Sequence, residues 1–356
     1  MSEEEEPLDL EPIEVPSNRL CEVIEDHAAG GTVVIPDGTY IACDLVDFHP
    51  DERLNIIAET RHGVVVVRQG EDIGETIFRI ESSADVTFVG LRFEALNVAV
   101  LGSNGIEFRY TEHSFPIERH PDPENSWCGE QRGPNTMEIQ NSDRITIAGS
   151  DFADVGNDAI RIEQSDHVTV EGVIVTDVWH DRLQSGNENG ECDGNDGSNY
   201  HTDGLQIING ESDDLTIRDS YFGQRLVLTV DGDGVGGNHD MVLERLWLVA
   251  ELPDTSNCVT MAMKVKDNAD PEATQNAVVR DVESFCDPSI EGSRHFDVSG
   301  SEERLTVNGG PTLAAQRNAD EELAAERRVV PDIDESPAQV WRARSPYRDQ
   351  VLRLMP

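Results

Sequence analysis

The sequence predicts an all-β fold: a single parallel sheet wound into a right-handed solenoid. Three observations predict it. Segments 134–155 (PNTMEIQNSDRITIAGSDFADV) and 156–178 (GNDAIRIEQSDHVTVEGVIVTDV) superpose without a gap, so that Ile139 falls on Ile162, Ile145 on Val168 and Phe152 on Val175, a repeat of 23 residues. Each repeat holds three short runs with the alternation of a strand, parted by Gly, Asn, Asp and Ser. Segment 78–96 fits the same frame through Ile80, Val86 and Phe93, and 202–222 fits after a two-residue insertion that brings Leu215 to the second position. A unit this short cannot bury its apolar side alone, so stacking supplies the core. The alternation then decides which side chains face out.

Composition bounds the rest. A solenoid remains one domain at any length, so 356 residues need no second domain. Aromatics are scarce at 5%, as expected of a narrow interior filled by stacked Ile, Val and Leu. The net charge of −44 excludes a surface built for nucleic-acid phosphates or anionic lipid. Only Lys264 and Lys266 of the 27 basic residues are lysine, and this Asp-rich, Lys-poor balance suits a halophilic protein as well as it suits genome composition. The six cysteines at 21, 43, 128, 192, 258 and 286 show no zinc spacing. Three disulfides in an oxidising compartment are expected, with Cys21–Cys43, Cys128–Cys192 and Cys258–Cys286 as the pairs that join neighbouring turns, although fifteen pairings are formally open and six buried thiols are the alternative. No apolar stretch approaches the length of a membrane span, and no signal peptide is visible, so an extracellular location would imply a trimmed leader.

Residues 1–16 read as a disordered acidic leader. Residues 17–29 read as a short amphipathic helix, capped by Ser17 or Asn18 and apolar at Leu20, Val23 and Ile24, that plugs the open end of the solenoid. Then Gly30-Gly31-Thr32-Val33-Val34-Ile35-Pro36-Asp37-Gly38-Thr39-Tyr40 gives strand, turn and strand. With the repeats behind it, this run resembles the opening turn of the right-handed parallel β-helix proteins of the pectate-lyase-like superfamily, a resemblance that covers residues 17–310. It implies the fold and leaves the activity open among polysaccharide lyases, glycoside hydrolases, epimerases, tailspikes and non-catalytic proteins. Strands continue through 54–67, 76–93 and 98–110, interrupted by irregular excursions over 111–133 and 179–200 that each carry a Trp and a Cys. Such insertions often build a binding wall. Within 311–356, Ala314–Arg328 reads as a helix with acids early and arginines late, followed by an extended tail packed on the outside through Trp341, Tyr347 and Leu352.

The chemistry is expected on outward positions. If Ile139, Ile162, Ile207, Val230, Val265 and Val298 are equivalent inward residues, their predecessors form one external column, Glu138, Arg161, Gln206, Thr229, Lys264 and Asp297. Their successors, Gln140, Glu163, Ile208, Asp231, Lys266 and Ser299, form another. Asn135, Asp158 and Asp203 stack at the strand entry, where coils about 4.8 Å apart would let Asp158 and Asp203 share a cation or a proton. For β-elimination on a uronic-acid polymer, Asp158, Asp203 and Asp231 would hold Ca²⁺, Arg161 would clamp the substrate carboxylate, and Lys264 or Lys266 would be the base if its pKa is lowered. Solvated strand lysines amid acid are the bland alternative.

For hydrolysis, two carboxylates flank the bond. His201-Thr202-Asp203-Gly204 resembles the Asn-Thr-Asp-Gly motif of family 28 polygalacturonases, and Asp231-Gly232-Asp233, Gly237-Asn238-His239 and Met263-Lys264-Val265-Lys266 follow in that family's order of acid, histidine and basic motifs. The resemblance implies a catalytic role for Asp203; it departs where glycine splits the paired aspartates, where the histidine follows them too closely to lie a full turn away, and where Arg-Ile-Lys is missing, and His239 is a candidate substrate contact. His201 to Gln206 also resembles a His-x-Asp-Gly-x-Gln motif of secreted β-helix proteins, while Asp-Gly alone is a good turn. Trp179 can offer a stacking platform beside His180 and Arg182, and Glu138 and Gln206 further substrate contacts; Asp193 and Asp196 lie in an oxygen-rich loop that can also take Ca²⁺. The expectation is an extracellular, monomeric polysaccharide-acting protein, a lyase first, a hydrolase or a non-catalytic adhesion module otherwise, with no nucleic-acid partner and no membrane insertion.

Overall fold

The computed structural model describes residues 18–68, 77–115, 135–155, 158–176, 203–208, 211–223, 226–231 and 238–249, then the strands 263–266, 274–275, 277–280, 283–285, 296–299 and 305–307. The acidic leader 1–16 and the segment 311–356 lie outside the described residues.

Three long sheets make the body. Sheet I has ten strands, from Gly31–Ile35 to Leu305–Val307; sheet II has nine, from Gly38–Ile41 to Glu283–Phe285; sheet III has nine, from Asp44–Val46 to Phe296–Ser299. The chain visits I, II and III in turn and re-enters I one coil further on, so each strand pairs in parallel with the coils before and after it. This is a parallel β-helix, right-handed as parallel crossover connections are. The 23-residue repeat is one coil: Ile139 pairs with Ile162 and Phe152 with Val175, while the hydrogen bond from Thr169 N to Ile145 O seats Val168 beyond Ile145. Leu205, Gln206 and Ile207 pair with Ile160, Arg161 and Ile162, and the Thr216–Thr169 pair brings Leu215 onto the same inward row as Val168.

The three corners differ. From sheet I to sheet II the link is two residues in coil after coil: Gly90-Leu91, Tyr110-Thr111, Gly149-Ser150, Gly172-Val173, Asp219-Ser220 and Arg245-Leu246. The first of each pair has positive φ and the second is fully buried, so the corner turns sharply; only an earlier coil lengthens it among the described residues, with five residues between Ala58 and Val64. Tyr110 fills the space above the next coil closely enough that a Cβ on Gly149 would lie 2.6 Å from its ring, which explains glycine there. At the corner from III to I, Ser83, Ser103, Ser142, Ser165 and Ser212 form a buried ladder in which each backbone N–H donates to the next serine Oγ at 3.0–3.1 Å. The corner from II to III is where the chain lengthens, between Val67 and Ile77, Ser114 and Met137, Val175 and Asp203, Val249 and Met263, and Phe285 and Phe296.

The interior departs from a purely aliphatic stack. Phe78, Phe88, Phe93 and Phe108 cluster in early coils, and His113 occupies the inward row of sheet II between Phe93 and Phe152, with ring centroids 5.0 and 4.6 Å away. Scarce aromatics are therefore spent inside. At the first coil, the helix Leu20–Glu25 buries Leu20, Cys21, Val23 and Ile24 in the common core, and the Cys21–Cys43 disulfide ties it down. Its start differs from the sequence expectation. Arg19 occupies the cap position and makes no side-chain cap bond, because Asn18 O accepts from Ile41 N and Arg19 bridges Ile41, which holds the two in extended backbone on sheet II. The other four cysteines lie outside the described residues.

Candidate functional site

The outer face of sheet III is entered from the II to III corner, where the chain lengthens. Strand pairing places its outward residues in two rows. Asp44, Arg79, Ala99, Glu138, Arg161, Gln206, Thr229, Lys264 and Asp297 are consecutive partners in one row. In the other, Val46, Glu81, Leu101, Gln140, Glu163 and Ile208 are consecutive partners, and Asp231, Lys266 and Ser299 continue it. Residues 159 positions apart, Glu138 and Asp297, thus share one strip because each coil repeats the phase of the last.

Arg161 Nη2 donates to Glu163 Oε2 at 3.2 Å, and its Nε is buried with no hydrogen-bond partner. Arg79 repeats this arrangement three coils earlier: it approaches Glu81 at 3.7 Å and Asp44 at 4.0 Å, and its Nε is likewise buried and unpartnered. Arg79 was not singled out from the sequence. The signal was present, since Arg79-Ile80-Glu81 and Arg161-Ile162-Glu163 are the same tripeptide on the same strand of different coils. Glu138 and Gln206, on either side of Arg161, are half-buried.

Register brings Asn135, Asp158 and Asp203 to the entry of consecutive strands, with Thr136 N donating to Asp158 O at 2.9 Å. Asp158 and Asn135 are both buried. Asp231 does not join them. Asp203 pairs with Leu226, and Asp231 lies five residues further along that strand, about 16 Å away at 3.3 Å per residue. Asp158, Asp203 and Asp231 therefore do not form one Ca²⁺ site, and among the described residues no group of three or more His, Cys, Asp or Glu could hold a metal ion. Arg161 and Lys264 stand in one row three coils apart, about 14 Å between backbones at the strand spacing. Lys264 and Lys266 share a strand two residues apart, about 7 Å along it.

His239 lies elsewhere, on the corner from III to I, where it pairs with Asp213 in the short sheet and its Nδ1 is 3.1 Å from Asp213 Oδ1. It belongs to a polar ladder with His167, whose Nδ1 is 2.8 Å from Asp143, and is off the Arg161 row. His201, Trp179, His180 and Arg182 lie outside the described residues, as do Asp193 and Asp196. Among the described residues no helix is long and apolar enough to cross a membrane.

No protein family matches the sequence, and no curated protein does. Among solved structures, the surface adhesin PfbA of Streptococcus pneumoniae is similar at TM-score 0.44 and 11% identity, over 80% of this chain and 62% of that one. The alginate lyase from Paenibacillus sp. str. FPU-7 is similar at 0.37 and 10%, over 80% of this chain and 97% of that one. Pectate lyase Pel9A is similar at 0.39 and 12%, over 78% and 68%. This chain spans less than two thirds of the adhesin. At such identities the likeness is one of fold, and the fold here rests on the strand pairing itself.

Proposed function

We propose that this chain is an extracellular protein that binds a polysaccharide along the outer face of sheet III and cleaves a uronic-acid-containing chain by β-elimination. One observation carries the reading: both lysines of the chain fall at outward register positions of one strand, Lys264 in the row of Arg161 and Lys266 in the row of Glu163, on the face entered from the lengthened II to III corner. The reaction requires one of the two lysines to lose its proton, a loss that the ammonium two residues away favours and the paired Asp231 and Asp297 oppose. The neutral amine then takes the proton α to the substrate carboxylate while its charged neighbour holds that carboxylate. The electron pair left at the α carbon forms the new double bond, the glycosidic C–O bond at the β carbon breaks, and the leaving oxygen is protonated. Arg161 holds a second carboxylate three coils away. The Cys21–Cys43 disulfide supports an oxidising compartment.

A panel of uronic-acid polymers, homopolymeric and mixed, followed by ultraviolet absorbance of unsaturated ends, tests this. Cleavage is expected, and Lys264→Ala and Lys266→Ala should each lower it at least a hundredfold with unchanged unfolding midpoints. New reducing ends without absorbance would replace the reading with hydrolysis, for which Glu138 on the preceding coil and Glu163 two residues along the same strand stand beside Arg161. Binding with no cleavage would replace it with adhesion.

A further inference from the structure

Cations recur on the outer row of sheet III with a period. Counting coils from Asp44–Val46, Arg79 stands on the second strand, Arg161 on the fifth and Lys264 on the eighth. The intervening positions are Ala99 and Glu138, then Gln206 and Thr229, none of them cationic. The positive charges are thus spaced every third coil, about 14 Å, on a chain of net charge −44.

A pyranose residue in an extended chain advances by about 5 Å, close to the strand spacing of about 4.8 Å, so a polymer lying along the solenoid offers one sugar per coil. A carboxylate on every sugar would set one against Glu138 and leave two in three without a cation, on a body that repels polyanions. A carboxylate on every third sugar meets Arg79, Arg161 and Lys264 in phase. Both arginines keep donors for it. Arg79 has only long ion pairs through Nη1, at 3.7 and 4.0 Å, and Arg161 has one through Nη2 at 3.2 Å, so each guanidinium has Nη donors left over.

We propose that the preferred ligand is an anionic heteropolysaccharide carrying one acidic sugar in three, recognised by the Arg79, Arg161 and Lys264 row. The proposal rests on the polysaccharide reading of this face and deepens it.

The test uses synthetic β-linked nonasaccharides with a glucuronate at every position, every second position, every third position or none, titrated calorimetrically into the full chain at fixed ionic strength. The every-third ligand is expected to bind about tenfold more tightly than the others, and Arg79→Gln to remove most of that margin while leaving the uncharged nonasaccharide unaffected. Equal or tighter binding of the fully charged ligand overturns the spacing and leaves the polysaccharide reading standing. A margin that survives Arg79→Gln in a variant of unchanged unfolding midpoint also overturns the spacing. Failure of all four to bind overturns both.

Discussion

His113 allows the buried core to be tested by pH. It is fully buried, stacked between Phe93 and Phe152, with Nε2 at 2.8 Å from Thr111 Oγ1 and Nδ1 buried with no hydrogen-bond partner. Burial pushes its pKa down to about 3, Glu112 opposing and His62 adding a little. A histidine depressed in the folded state is protonated first in the unfolded chain, so stability is full above the unfolded value of about 6.5 and is lost as pH falls toward 3. Each pH unit in that window costs about 1.4 kcal/mol, and the interval from 6.5 to 4.5 costs about 2.7 kcal/mol. That interval isolates His113 from Glu112. Glu112 is held at about 2 by its hydrogen bond to His62 and its pairing with Arg92, against burial, so its own loss begins only below 4.5. His113→Phe keeps the ring stack and leaves Thr111 Oγ1 its partner Ser150 Oγ at 2.9 Å. Urea unfolding of both proteins at half-unit steps from pH 7.5 to 4.5, at constant ionic strength, gives the difference directly. The variant should gain about 2.7 kcal/mol on the wild type across the lower two units and nothing above 6.5. A difference flat in pH would refute the claim that a neutral imidazole is locked in the core.

The remaining expectations follow from the corners and the surface. Replacing Cys21 and Cys43 together by serine should cost about 3 kcal/mol in urea unfolding, as for a closed loop of 22 residues. Ser142→Ala removes the Oγ that accepts from Ser103 N at 3.1 Å inside the ladder, and leaving that buried N–H unmatched should cost about 1–3 kcal/mol by the same assay. With a net charge of −44, the unfolding midpoint should rise steeply between 0.1 and 1 M NaCl, as the screening length falls from about 10 to about 3 Å; a midpoint indifferent to salt would end the halophilic reading.

How much of this is legible in the sequence depends on whether a residue obeys the coil period. Inward rows admit little but Ile, Val, Leu and Phe, and a one-residue slip would turn them to solvent, so Ile139, Ile162 and Ile207 align by eye and pair in the structure. Outward rows follow from the same phase, which is why Glu138, Arg161 and Gln206 could be placed together and why Arg79 could have been. The serine ladder was equally available, since Ser83, Ser103, Ser142 and Ser165 each stand three residues after an inward Ile or Val. The two-residue insertion that delays Leu215 falls between Ile207 and Ser212. The error over Asp231 was one of phase. Asp203 precedes its inward residue by four and Asp231 follows its own by one, so the period already set them five positions apart.

The period also explains where sequence reasoning stops. The I to II corner spends its two residues on one left-handed turn and one buried side chain, so its sequence is constrained and readable. The II to III corner carries no such constraint: the chain passes from Ser114 to Met137 and from Val175 to Asp203 between consecutive strands. The scaffold therefore determines which residues share a strip, while the length and composition of the connections at that corner follow no repeat. Spacing along the strip is consequently the property of this face that sequence and fold determine together, and the Arg79, Arg161 and Lys264 interval is its most specific expression.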